Sequence, residues 1–238
     1  LYGPYVSRWQ PGNYYAYCYS APILSADIVE KISGQTWADF TQQRIFLPLG
    51  ISTAHWDKSS VFADRLAKSY RDDGKTNEPY VDIPGKPSGA LNITPDDLSK
   101  LMQLFISRGT SNGVTLLTPL SIDRIETPHS SLAARAGLKA GYGLGSLSTI
   151  TEKSVFHGNN GSIDGFIANF HYEPTHRAGY VIMINSMTPE ALEVGTQITA
   201  YLERNWLKPQ ITTRFTAKEN ELNKWSGFYN SVAPTSQC

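Results

Sequence analysis

The sequence predicts an α+β fold: an antiparallel sheet packed with a C-terminal helix, beside a mostly helical subregion. Three observations carry this. Stretches 165–172 and 179–186 read as strands, and Glu173-Pro174-Thr175-His176-Arg177-Ala178 between them reads as a hairpin loop, which makes the pair antiparallel. Residues 191–206 then run as an amphipathic helix with Leu192, Ile198, Tyr201 and Leu202 on one side, and a helix laid on such a sheet is an α+β arrangement. The first half of the chain, by contrast, is dominated by helical spacing.

In chain order, residues 23–32 form a helical run ended by Ser33-Gly34. Helical spacing resumes over 37–47 through Trp37, Phe40, Ile45 and Phe46, until Pro48 and Gly50 end it, so the two runs should pack as an αα pair. From 49 to 87 the sequence turns polar and irregular, with turn signals at Asp72-Asp73-Gly74-Lys75 and Pro84-Gly85; it reads as a long surface excursion, of the kind that often borders a site. Helices should begin at Thr94-Pro95-Asp96-Asp97, Thr118-Pro119-Leu120-Ser121 and Thr188-Pro189-Glu190. At each, Thr caps free N–H groups and Pro in the first turn loses no bond, and where acids follow, as Asp96, Asp97 and Glu190 do, they suit the helix dipole. In the first of these helices Leu98, Leu101, Met102 and Phe105 recur on one side and Gly109 is the stop.

The second half begins with a strand over 141–150 and continues through the two strands already named. The stretch Gly179-Tyr180-Val181-Ile182-Met183-Ile184-Asn185-Ser186 is a continuous apolar run that suits a central strand covered on both faces. After Pro209 the character changes again. Residues 1–208 therefore read as one domain and 209–238 as a tail or the start of another unit.

The 238 residues carry 21 Lys plus Arg against 21 Asp plus Glu, so no whole-molecule field draws in polyanions, and nucleic-acid binding has no electrostatic support. No apolar stretch approaches the roughly 20 residues of a transmembrane helix. Cys18 and Cys238 alone cannot build a disulfide scaffold or a multi-cysteine zinc site, and His55, His129, His157, His171 and His176 lack metal-ligand spacing, so neither metal nor cofactor is expected. The chain starts at Leu1 without the basic start and apolar run of a signal peptide, which reads as an N-terminal part that lies elsewhere.

Two segments are candidates for chemistry. Trp9-Gln10-Pro11-Gly12 with Tyr14, Tyr15 and Tyr17 is an aromatic cluster that local sequence reads as packing; a buried Tyr becomes a general base only where a cation lowers its pKa. Gly158-Asn159-Asn160-Gly161-Ser162-Ile163-Asp164-Gly165-Phe166 reads as a glycine-rich turn leading into a strand. A tight hairpin turn is the simpler use, and an oxyanion hole built from backbone N–H groups is the functional one. Gly141-Tyr142-Gly143-Leu144-Gly145 is no dinucleotide fingerprint, because strand rather than helix sequence follows it, and no Gly-x-Ser-x-Gly elbow is present. Asp72-Asp73 and Asp96-Asp97 already have turn and helix-start roles.

Taken together in order, these pieces resemble the serine β-lactamase, penicillin-binding protein and esterase superfamily, in its class C-like branch with carboxylesterases and D-aminopeptidases. The resemblance runs from about Trp9 to about Trp206. It is carried by Trp9-Gln10-Pro11-Gly12, Tyr17-Cys18-Tyr19, Ile28-Val29-Glu30-Lys31-Ile32-Ser33-Gly34-Gln35 and Ile45-Phe46-Leu47-Pro48-Leu49-Gly50. Further on it is carried by Lys86-Pro87-Ser88-Gly89-Ala90-Leu91, Thr94-Pro95-Asp96-Asp97-Leu98, Gly141-Tyr142-Gly143-Leu144-Gly145 and Gly161-Ser162-Ile163-Asp164-Gly165-Phe166.

The resemblance implies a β-lactamase/transpeptidase-like fold, here incomplete, and an acyl-enzyme mechanism. That mechanism uses a Ser in Ser-x-x-Lys, a Tyr that activates it, and a Lys or His before a Gly whose neighbour lends an oxyanion N–H. No Ser or Thr in the chain is followed three residues later by Lys; in the family order that pair precedes Leu1. Tyr17 matches the motif tyrosine, while Tyr19 stands where Asn is usual and lacks the hydrogen-bond set of an amide. Counting back from Gly161-Ser162, the Lys or His position falls on Asn159, with His157 two residues earlier as a substrate contact. Two functions follow. One is part of a serine hydrolase acting on ester, amide or β-lactam bonds of a small ester, amide or peptide-like substrate, inactive as this chain alone; the other is a non-catalytic relative serving as a binding or assembly subunit with a protein partner. The resemblance also implies an extracytoplasmic location, and a C-terminal β-rich appendage opening near Leu222 to Tyr229.

Overall fold

The computed structural model describes residues 13, 17–58, 63–163, 165–188 and 190–208. Trp9 to Gly12, Tyr14, Tyr15, Asp164 and the tail from 209 lie outside the described residues.

Helix α1, Ser20–Ser33, ends as its sequence requires: Gly34 takes the left-handed conformation at φ 69° and its N–H caps the Glu30 carbonyl at 2.9 Å. Helix α2, Trp37–Thr41, starts on Thr36, whose Oγ1 accepts the Asp39 N–H at 3.1 Å, and runs on into a π turn over Gln42–Phe46. The Glu30 carboxylate accepts the Trp37 N–H at 2.5 Å, tying α1 to α2 as the expected αα pair. Among the described residues no helix is long and apolar enough to cross a membrane.

Residues after α2 depart from the surface excursion read in the sequence. Leu49, Ile51 and Ala54 are buried together with Phe46 and Leu104, and Trp56 packs at a tilt against Trp37 and Phe46. Short polar neighbours masked these apolar anchors; beyond them comes the antiparallel pair β1, Ser69–Tyr70, and β2, Asn77–Glu78, in which Ser69 is buried and the turn between the strands is exposed.

Helix α3, Pro95–Ile106, is capped by Thr94, whose Oγ1 accepts the Asp97 N–H at 3.4 Å. The buried Asp97 carboxylate in turn accepts the N–H groups of Ser52 and Thr53, both at 2.8 Å, and pins the preceding loop to the helix start. Burial opposes its charge, but the Lys100 ammonium, the Thr53 hydroxyl and those N–H groups outweigh burial and hold its pKa far below the usual carboxylate range. The minimal hairpin β3, Thr110–Ser111, and β4, Val114–Thr115, leads to α4, Pro119–Glu126, capped by Thr118, and then to α5, Leu132–Arg135.

The rest is a five-stranded antiparallel sheet in the order β5-β6-β7-β8-β9. The single strand expected over 141–150 is two, β5, Gly141–Tyr142, and β6, Leu147–Ile150, because the chain reverses at Gly145, φ 78°. The glycine-rich stretch is likewise mostly strand: β7 spans Val155–Ile163 and the reversal comes at Gly165, φ 83°, before β8, Phe166–Glu173. Strand β9, Ala178–Ile184, expected at the centre, pairs with β8 alone among the described residues and stays partly exposed on both faces.

Two layers cover this sheet. On one face Phe105 of α3 packs against Phe170 and Tyr172, with ring centroids 6.2 and 5.6 Å apart. On the other lies α6, Glu190–Asn205, where Gly195 lets the helix approach Tyr180 and the Tyr180 and Thr199 hydroxyls meet at 3.1 Å. A helix on an antiparallel sheet beside a helical subregion is the α+β arrangement that the sequence predicts.

Candidate functional site

The site is built where β7 outruns its neighbour. Strand β6 pairs with β7 from Ile150↔Val155 to Leu147↔Gly158 and then turns away, so residues 159–163 of β7 keep β8 on one side and, among the described residues, pair with no strand on the other. The Asn160 N–H donates to Asn159 Oδ1 at 2.9 Å, so it points to the open edge rather than into the β8 ladder. Side-chain and backbone directions repeat every second residue along a strand, which aims the Ser162 N–H the same way. Gly161 and Ser162 are both exposed, and the Ser162 hydroxyl lies 3.7 Å from Met187 Sδ.

Asn159 sits at the root of this edge. Its amide oxygen accepts the Tyr142 hydroxyl at 3.1 Å as well as the Asn160 N–H, and its Nδ2 donates to the Gly145 carbonyl at 3.3 Å. An amide so held offers a hydrogen bond but no charge and no titratable proton. Tyr17, ahead of α1, meets Tyr19 edge to face at 5.2 Å, both rings about half exposed. Burial first, then Tyr19 and Tyr142, pushes the Tyr17 pKa above its ordinary value. None of these influences is a cation, so the phenol stays protonated where a general base would have to be ionised.

The structure thus bonds Asn159 to Tyr142 and sets Tyr17, paired with Tyr19, near enough to Tyr142 to feel its charge, while Gly161 and Ser162 lie further along the strand that carries Asn159. His157 lies elsewhere. It shares the Asn159 face of β7 but is set inward, its Nδ1 2.9 Å from Ser148 Oγ and its ring 5.8 Å from that of Tyr172. Burial lowers its pKa, although the Glu126 carboxylate opposes that, so the imidazole is held neutral. Below it, Arg108 Nη1 grips both Glu126 oxygens at 2.8 and 2.7 Å, and the Tyr172 hydroxyl donates to Glu126 Oε1 at 2.8 Å. This ionic cluster joins the end of α3, α4 and β8 and gives His157 a packing environment.

Sequence reasoning missed Tyr142 as a member of the site, because it was read only inside a glycine motif and no local pattern marks a contact that only the folded sheet makes. The arrangement presents two or three phenols, an amide and an outward backbone N–H, a set suited to holding a carbonyl or anionic oxygen. Among the described residues no three His, Cys, Asp or Glu side chains converge on a common point that would hold a metal.

Comparisons with known proteins agree on one grouping. The family model described as Beta-lactamase matches residues 6–203. Protein Rv1367c of Mycobacterium tuberculosis is 27% identical over 160 residues, covering 60% of this chain and 39% of that protein. Among solved structures, the octameric penicillin-binding protein homologue from Pyrococcus abyssi superposes with a TM-score of 0.72 at 22% identity, over 84% of this chain and 46% of that one. The penicillin-binding protein from Bacillus halodurans gives 0.66 at 21% identity, over 82% and 58%. The D-amino acid amidase from Ochrobactrum anthropi SV3, complexed with D-phenylalanine, gives 0.62 at 19%, over 79% and 61%. The likenesses to solved structures are of fold, and the chain spans less than two thirds of the length of each of these relatives.

Proposed function

This chain belongs to the beta-lactamase family, and on that premise we propose that it is part of a serine hydrolase that opens ester, amide or β-lactam bonds through an acyl-enzyme. The nucleophilic Ser and its Lys come from sequence outside these 238 residues. Tyr17 is the general base once that Lys supplies the cation that lowers its pKa. The Ser162 N–H is an oxyanion donor, Gly161 leaves room for the substrate beside it, and Tyr19 and Asn159 hold the substrate by hydrogen bonds.

The observation that supports this reading is that the Tyr142 hydroxyl bonds Asn159 while Tyr142 also lies near enough to Tyr17, far away in sequence, to raise its pKa. An amide or peptide-like substrate class draws support from the D-amino acid amidase among the similar folds. A burst assay with nitrocefin or p-nitrophenyl acetate tests it. The 238-residue chain should give no burst, and a polypeptide extended to include an in-frame Ser-x-x-Lys should give one. Turnover by the short chain would sink the proposal.

One observation favours a second reading, a non-catalytic relative kept as a binding or assembly subunit. Asn159 carries no charge, and its amide oxygen is already engaged twice. On that reading the extended polypeptide stays silent in the burst assay, and Asn159→His does not restore it.

A further inference from the structure

Just beyond β9 the chain is held against the loop that carries β1. The Tyr70 N–H donates to the Asn185 carbonyl at 3.0 Å, the Asn185 side-chain amide to the Lys68 carbonyl at 2.8 Å and the Ser186 hydroxyl to the Arg71 carbonyl at 2.8 Å. The next residue, Met187, therefore leaves a backbone that is pinned in place. Its side chain reaches Ser162 on β7, whose hydroxyl donates to the Met187 sulfur across 3.7 Å.

The three methionines of the chain differ in their access to an oxidant. Met102 Sδ lies on the β9 backbone, so close that a Cβ on Gly179 would stand 2.7 Å from it. Met183 is part-buried within β9, opposite Ala168 of β8. Met187 is 37% exposed. Oxidation turns a flexible apolar thioether into a polar, chiral sulfoxide. A thioether sulfur is a weak acceptor and a sulfoxide oxygen a strong one, so the change falls on the hydroxyl already aimed at that sulfur.

We propose that Met187 is an oxidation site that acts as a reversible switch on Ser162. Hydrogen peroxide gives one oxygen to the sulfur, and the sulfoxide oxygen then takes the Ser162 hydroxyl in a stronger hydrogen bond. The peroxide O–O bond breaks and an S–O bond forms; the sulfur loses two electrons and the peroxide, reduced by them, leaves as water. A methionine sulfoxide reductase reverses the step, the oxygen leaving as water while a dithiol is oxidised to its disulfide. If the Ser162 N–H is an oxyanion donor, the sulfoxide sets a second polar group beside the substrate oxygen and slows acylation; that consequence alone rests on the hydrolase reading.

The switch is tested on the 238-residue chain without any turnover. Hydrogen peroxide is added at low concentration, peptide mass spectrometry follows each methionine, and backbone amide resonances are recorded in parallel. Met187 should gain its oxygen at least about threefold faster than Met102 or Met183, whose side chains are more covered. The Ser162 amide resonance should shift in step and return on treatment with the reductase. Met187→Leu should leave Ser162 unmoved by peroxide, and Ser162→Ala should still be oxidised at Met187 but lose most of the shift at position 162. Equal oxidation of the three methionines overturns the proposal. So does a Ser162 resonance that stays in place in the oxidised chain, or a shift of full size in the Ser162→Ala variant. These readouts are independent of the burst assay, so failure of the hydrolase reading leaves the switch standing and the reverse holds too.

Discussion

The Tyr142 hydroxyl donates to Asn159 Oδ1 across 3.1 Å, and that bond ties β5 to β7 at the point where β6 has turned away between them. It fixes the rotamer of the one side chain at the root of the open β7 edge. It also brings a second phenol to Tyr17.

Tyr142→Phe removes that bond but leaves the Asn160 N–H on Asn159 Oδ1. The urea midpoint should therefore fall by the equivalent of about 0.5–1.5 kcal/mol, the ordinary net worth of one hydrogen bond. The same variant should lower the Tyr17 pKa, because Tyr142 is one of the influences that raise it. Absorbance at alkaline pH, compared with a Tyr17→Phe control, reads that shift.

Asn159→Lys puts a cation where the chain has an uncharged amide. An opposite charge within reach of a titrating group favours its ionised form by about 1–3 pKa units, so the Tyr17 phenol should ionise at lower pH in this variant. An unchanged Tyr17 titration would mean that the two side chains do not share a site.

These two residues also mark how far the sequence could be read. Thr94 and Thr118 begin helices where their Thr-Pro pairs say so, since capping is a local bond between a hydroxyl and an N–H three residues on. The loop 173–178 makes its hairpin for an equally local reason. Glycine is ambiguous, and so the segment around Gly158 and Gly161 read as a turn although its register with β8 makes it strand. The Arg108–Glu126 pair and the Tyr142–Asn159 bond join residues 18 and 17 positions apart on different elements. No periodicity encodes such contacts: the packing of α3 against α4 creates the first and the arrangement of the sheet the second.

The buried histidines set an acid limit on stability. Burial lowers the pKa of both His157 and His171 below the ordinary 6.5. The unfolded chain then binds more protons than the folded one once the pH drops below about 6.5, and stability falls as pH falls, by up to about 1.4 kcal/mol per unit for each histidine. Above pH 7 both are neutral in either state and contribute no slope. Urea midpoints from pH 8 down to 5 should show this fall, and His157→Gln should flatten part of it.

Glu126 is the centre of the cluster beneath His157, with Arg108 and the Tyr172 hydroxyl both bonded to its carboxylate. Glu126→Ala strands a partly buried guanidinium and a buried phenol, and breaking such a pair from one side costs about 3–5 kcal/mol. Arg108 retains some solvent contact, which places the expected loss toward the lower end. Glu126→Gln keeps an acceptor for Tyr172 and should lose less. Equal losses from the two variants would assign the stability to packing instead of the charge.

Gly158 and Gly161 lie three residues apart on β7 and answer differently to the same substitution. A Cβ on Gly158 would come within 1.9 Å of the Phe170 carbonyl oxygen and 2.9 Å of the His171 Cα, both backbone atoms of the neighbouring strand. Neither can swing aside, so β7 must separate from β8 beside Asn159, and Gly158→Ala should lose more than about 3 kcal/mol, in the range of substitutions that break a special backbone approach. On Gly161 the nearest atoms stand 4.0 Å away, ordinary contact, and Ala there should change stability by no more than about 1 kcal/mol. Denaturation of the two variants side by side therefore tests the β7–β8 register on which the placement of Asn159 and the outward Ser162 N–H depends. Equal midpoints would mean that the strand is paired differently and that those two groups do not share an edge.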